Sequence, residues 1–160
     1  MTSIVQELYM FLNHIEDNLD QLGLTKGQIC LSGHSAGGHL TLVGKDHSVI
    51  SHAIPISPLV DLEPISLCYL NDNLKLSKEE IELYSPIKHV RKNVPLAIYV
   101  GGYELAELIR HSEEYYMFSK SLGNVISAYN RCKQYNHFSV LDELAPEGDI
   151  TQDLLKLMKS

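Results

Sequence analysis

The chain has 160 residues, of which 44% are hydrophobic and 21% charged, and its formal net charge is −7. That length makes one domain able to bury about two-thirds of its unfolded surface, with too much apolar material for a disordered segment. Its thirteen Lys and Arg are scattered, which excludes an electrostatic footprint for nucleic acid or an anionic membrane and leaves a small molecule as the expected partner.

From the N-terminus, Ser3, Ile4, Val5, Leu8, Phe11, Leu12, Ile15 and Leu19 have helical apolar spacing, with Gly23 as the stop. This segment lacks the basic start and compact apolar block of a signal peptide, and no run approaches the roughly 20 residues of a membrane span, so the expected location is the cytoplasm. "QICLSG" (28–33) predicts a strand and "SAGGHLTLVGKD" (35–46) a small-residue helix packed closely on a sheet. "HAIPISPL" (52–59) and "PLAIYVGG" (95–102) read as buried strands separated by a long insertion. Within it, Ser77 and Glu80 have capping-box spacing at the start of a helix that Ser85 and Pro86 close. A helix over 104–123, a strand over 124–132 and a final helix over 148–160 complete the order. Strands alternating with helices predict one α/β domain over residues 1–160, with a mostly parallel sheet of about four strands and helices on both faces.

Cys30, Cys68 and Cys132 are odd in number and widely spaced, and read as reduced core thiols; with no CxxC, a zinc site is not expected. Cys132 falls on a strand without a glycine turn, which argues against a cysteine nucleophile.

Gly33, His34, Ser35, Ala36 and Gly37 form G-x-S-x-G at a strand-to-helix junction, a turn that presents a serine hydroxyl at the carboxyl edge of a sheet. There the Ala36 amide can donate to a developing oxyanion. The bland alternative is a glycine-rich turn that merely packs a helix on a sheet. A serine nucleophile needs a base oriented by an acid, and in this arrangement acid then histidine follow just past later strands. Glu104 lies two residues past the strand that ends at Gly101 and Gly102, and His137 follows the last strand. Asp61, in "SPLVDLEP", is the rival acid; its other role is a turn or helix cap before Pro64. His14, His34, His39, His47, His52, His89 and His111 fall within or beside helices and strands and read as surface or packing residues.

Four blocks, "LSGHSAGGHL", "ISPLVDLEPISLCYLNDNLKLSKEEIELYSP", "VGGYELAELIRHSEEY" and "NHFSVLDEL", resemble in order and spacing the α/β-hydrolases related to kynurenine formamidase, the arylformamidase branch beside the carboxylesterases. The resemblance runs from about Gly23 to Leu144. It implies hydrolysis of an aryl formamide, typically N-formylkynurenine to kynurenine and formate, without metal or organic cofactor. By position it makes Ser35 the nucleophile, Glu104 the acid and His137 the base. "VDLEP" departs from the family's "YDLEP" at Val60, which touches substrate detail rather than reaction class.

Members of this fold also carry, ahead of the first helix seen here, several strands and an HGG-like loop that supplies half of the oxyanion hole; no HGG stands upstream of Ser35. The expectation is therefore a partial α/β-hydrolase fold. Two readings follow: a hydrolase of small aryl formamides or esters, or a weak remnant, a truncated product or split-gene half kept for interaction. The strand "QICLS" is expected at a sheet edge, where apolar backbone invites pairing, so a homo-oligomer or edge-to-edge association is expected.

Overall fold

Four strands, β1 (Cys30–His34), β2 (His52–Ile56), β3 (Leu96–Gly101) and β4 (Ile126–Cys132), form one sheet in the order β1-β2-β3-β4. Every neighbouring pair is parallel, in registers such as Cys30 with His52, Ala53 with Leu96, and Leu96 with Ile126. Parallel neighbours cannot be joined by a tight hairpin, so each connection crosses over outside the sheet. The computed structural model describes residues 1–91 and 94–157; the last three residues of the predicted final helix, 158–160, lie outside the described residues.

The expected strands and face-covering helices are present. β3 is buried along its whole length because apolar layers cover both of its faces. Its alternate residues divide the core: Ala97 and Tyr99 pack with Ile54, Ile56, Val140 and Ile150 on one face. Leu96 and Ile98 pack with Leu42, Ala53, Val60 and Tyr115 on the other. Helix α8 (Asp149–Leu157) covers the first face. Helices α3 (Ala36–Gly44) and α7 (Ala106–Ser121) cover the second, and Leu12 of α1 (Thr2–Asp17) joins a third cluster with Val49 and Ile50.

Two elements differ from expectation. The long N-terminal helix is broken at Asn18, whose side-chain amide donates to the His14 carbonyl at 2.8 Å, and a single turn, α2 (Leu19–Leu22), precedes the left-handed Gly23. The asparagine takes up a carbonyl that the next turn would otherwise use. Among its described residues the insertion between β2 and β3 holds not one α-helix but three, α4 (Glu63–Ser66), α5 (Asn71–Leu74) and α6 (Lys78–Tyr84), followed by a 3-10 turn over Pro86–His89. The first two are single turns, too short to leave a periodic apolar pattern. Among the described residues β1 has a strand on one side only, as expected for an edge. No helix among the described residues is long and apolar enough to cross a membrane.

Candidate active site

The turn from β1 into α3 places Ser35 at φ 56° and ψ −114°, a conformation that costs a non-glycine residue about 1–3 kcal/mol. Its surroundings enforce it. The Ser35 amide donates to the Ile56 carbonyl at the end of β2 at 2.9 Å, and its own carbonyl accepts from the His39 amide at 3.0 Å. A Cβ on Gly33 would lie 2.4 Å from the Gly37 carbonyl oxygen, and one on Gly38 would lie 2.8 Å from that of Ile56. A Cβ on Gly37 would meet nothing within 4 Å. The steric demand therefore falls on Gly33 and on Gly38, one residue beyond the motif's second glycine.

The strained turn aims the Ser35 hydroxyl at His137, whose Nε2 lies 3.1 Å from Ser35 Oγ. On the other side of the ring, Nδ1 lies 2.7 Å from Glu104 Oε2. A carboxylate oxygen accepts, so Nδ1 carries the proton and Nε2 keeps a lone pair for the serine hydroxyl. This is the tautomer a general base requires.

Glu104 has no exposed side-chain surface, and a buried carboxylate must be answered on both oxygens. Oε2 accepts from His137, while Oε1 accepts from the Gly101 amide at 2.6 Å and the Ser57 hydroxyl at 2.5 Å. Gly101 makes room for this approach, because a Cβ there would stand 2.9 Å from Oε1 and 2.7 Å from the Tyr135 carbonyl oxygen. Ser57 follows β2 at φ 47°, with its amide bonded to the Tyr99 carbonyl at 2.7 Å. Like Ser35, it is a non-glycine residue held in the left-handed region at the carboxyl end of a strand.

The structure thus brings together Ser35, Glu104 and His137. Ala36 is the first residue of α3, where an amide has no carbonyl within the helix to bond. Asp61 stands apart, its Oδ1 accepting the Glu63 amide at 3.0 Å in the turn before Pro64. His34, read from the sequence as a surface or packing residue, belongs to the site: its Nε2 donates to the His137 carbonyl at 2.7 Å, and the two rings lie 4.5 Å apart. Burial, and next the neighbouring His137, lower the proton affinity of His34, which keeps the ring neutral. Sequence reasoning also missed Ser57. The one signal for it is a serine directly after a buried strand, and serines there are common.

Ser35 and His137 open onto a cavity of about 560 Å³. Leu59, Pro64, Ile65 and Cys68 of the insertion form one wall; Leu105, Leu108 and His111, leading into and along α7, form another. Burial pushes the Cys30 and Cys132 thiols up to about 11, in accord with core thiols rather than nucleophiles. Cys68 differs in facing the cavity.

No family model matches the chain. It is 31% identical over 144 residues to a kynurenine formamidase of Salmo salar and 29% identical over 142 residues to one of Danio rerio, in each case over 80% of its own length. It spans about half the length of these curated relatives, 49% and 48%. Among solved structures it resembles the hyperthermophilic esterase of the archaeon Pyrobaculum calidifontis, with a TM-score of 0.71 and 23% identity, over 97% of this chain and 60% of that one.

Proposed function

Starting from a chain that has the α/β-hydrolase fold and is homologous to kynurenine formamidases, we propose that it is a serine hydrolase of small aryl formamides or aryl esters resembling N-formylkynurenine. The observation that supports this best is the relay from Ser35 to His137 to Glu104, at 3.1 and 2.7 Å, on the wall of a largely apolar cavity suited to an aromatic ring.

In the proposed reaction, Ser35 Oγ attacks the formyl or acyl carbon while His137 Nε2 takes its proton. The carbonyl oxygen becomes an oxyanion that the Ala36 amide stabilises. Collapse breaks the bond to the aryl amine or alcohol, which leaves with the proton from His137. A water then attacks the acylated Ser35, giving up its proton to His137, and the second collapse releases the carboxylic acid and restores the hydroxyl. Glu104 holds the Nδ1 tautomer and stabilises the imidazolium formed in each half-reaction.

The test compares wild type with Ser35→Ala, using 4-nitrophenyl acetate and formanilide as substrates and an aryl fluorophosphonate as a covalent label. Labelling of one site and hydrolysis of both substrates are expected for wild type, with the ester faster because its leaving group is better. Loss of Ser35 should remove the label and lower kcat by at least a thousandfold. Hydrolysis or labelling that persists in Ser35→Ala rejects the reading.

A further inference from the structure

A second cavity, of about 170 Å³, borders Ala36 at the start of α3. Leu59 and Ile65 line both this cavity and the larger one onto which Ser35 and His137 open. Ile4 of α1, Leu40 of α3 and Leu74 of α5 also line it, and these five aliphatic residues all keep accessible surface. Among the described residues His39 is the one polar residue at its border, and its Nε2 donates to the Tyr84 carbonyl at 2.7 Å. Burial lowers the proton affinity of that ring and keeps it neutral. The cavity therefore offers a ligand apolar contact. An apolar cavity of roughly 150 Å³ holds a benzene molecule, so this one has room for an alkyl group of about three to five carbons.

In the reaction proposed above, four groups surround the carbon that Ser35 attacks: Oγ, the oxyanion, the leaving group and the acyl chain. The leaving group takes its proton from His137 Nε2, so it lies in the larger cavity, which His137 lines. The oxyanion lies at the Ala36 amide. The acyl chain takes the remaining direction, away from His137, and Ala36 is the residue shared by the oxyanion position and the second cavity.

We propose that the 170 Å³ cavity beside Ala36 is an acyl pocket. Its substrates are aryl esters or amides of short saturated acids of about four to six carbons, taken in preference to formyl or acetyl compounds. This rests on the hydrolase reading and deepens it: the aryl leaving group occupies the larger cavity and the acyl chain the smaller one. A formyl group ends in a hydrogen and leaves the smaller cavity unfilled. Each methylene moved from water into it raises kcat/KM by about fourfold.

The experiment measures kcat/KM of the full chain for the 4-nitrophenyl esters of acetic, butanoic, hexanoic and octanoic acids. Butanoate should exceed acetate by about tenfold, and the gain should end at hexanoate because a longer chain overfills the cavity. Ile4→Trp, which fills the cavity from an exposed position, should bring the butanoate-to-acetate ratio down to about one. Leu74→Trp should do the same from α5. Each variant is read as a ratio between two substrates of one preparation, so a loss of folded protein does not imitate the result. A flat series in wild type, a gain that continues through octanoate, or an unchanged ratio in either tryptophan variant overturns the proposal. Fluorophosphonate labelling of Ser35 in the same preparations separates the two ideas. Absence of both labelling and turnover rejects the hydrolase reading and the pocket with it, whereas a labelled Ser35 with any of those three outcomes overturns the pocket alone.

Discussion

Ser57 shows how a single hydroxyl completes the hydrogen bonding of a buried carboxylate. The Glu104 carboxylate is enclosed, and without the Ser57 bond its Oε1 would be left with the Gly101 amide alone. Hydrogen bonds to a charged group contribute about 1.5–3 kcal/mol, so Ser57→Ala should lower stability by that order, read as a fall in the urea midpoint. It should also lower kcat for an aryl ester about tenfold with little change in KM, because the hydroxyl holds the acid rather than the substrate. Ser57→Gly separates hydroxyl from backbone: it removes the same bond but relieves the φ of 47°, and should be more stable than Ser57→Ala with equally poor kcat. Equal kcat in wild type and Ser57→Ala would show that the Gly101 amide alone holds Glu104.

The start of α6 was legible as an element because its capping box is local. Ser77 accepts the Glu80 amide at 3.1 Å, and the Glu80 side chain accepts the Ser77 amide at 3.3 Å. The same carboxylate has a second duty that local spacing does not encode: it accepts the amide and hydroxyl of Thr2, each at 2.8 Å, and so ties α1 to the insertion. The Thr2 amide, then the Thr2 hydroxyl, hold the Glu80 carboxyl down to about 2 from its ordinary 4.5. A depressed carboxyl contributes stability that is complete above the unfolded value and is lost as pH falls through the folded one. Glu80→Gln should therefore be less stable than wild type at pH 7, with the difference shrinking from about pH 4.5 toward pH 2 in urea titrations. A difference that stays constant across that range would assign it to packing rather than charge.

At the scale of the whole molecule, the consequence of the strand order is an open edge. β1 pairs with β2 on one side, and its outer backbone groups have no strand beside them among the described residues. Such an edge is a template for another strand. We expect concentration-dependent self-association, seen by sedimentation velocity, and a shift toward monomer in Ser32→Lys, which adds a charge at an exposed edge position. A monomer at all concentrations would show that the edge is blunted already. The sheet order also accounts for the site: the loops after β1, β2, β3 and β4 carry Ser35, Ser57, Glu104 and His137 to one end of the sheet. Ligand sites of parallel sheets lie outside the carboxyl ends of the strands for this reason.

What the sequence determined by itself was whatever local rules encode. The period of apolar residues gave the four strands and the major helices, glycine spacing gave the turn at Ser35, and chain order after strands gave Glu104 and His137. Each of these depends on neighbours within a few residues or on the topology that alternating elements impose. The tertiary structure adds the distances that separate Glu104 from its rival Asp61: Glu104 lies 2.7 Å from the His137 ring, while Asp61 accepts the Glu63 amide. It alone recruited His34 and Ser57, whose partners lie 103 and 47 residues away in the chain. It alone left His111 buried without a hydrogen-bond partner among the described residues, since an unanswered nitrogen is a property of the space around a residue and not of the residues beside it in sequence.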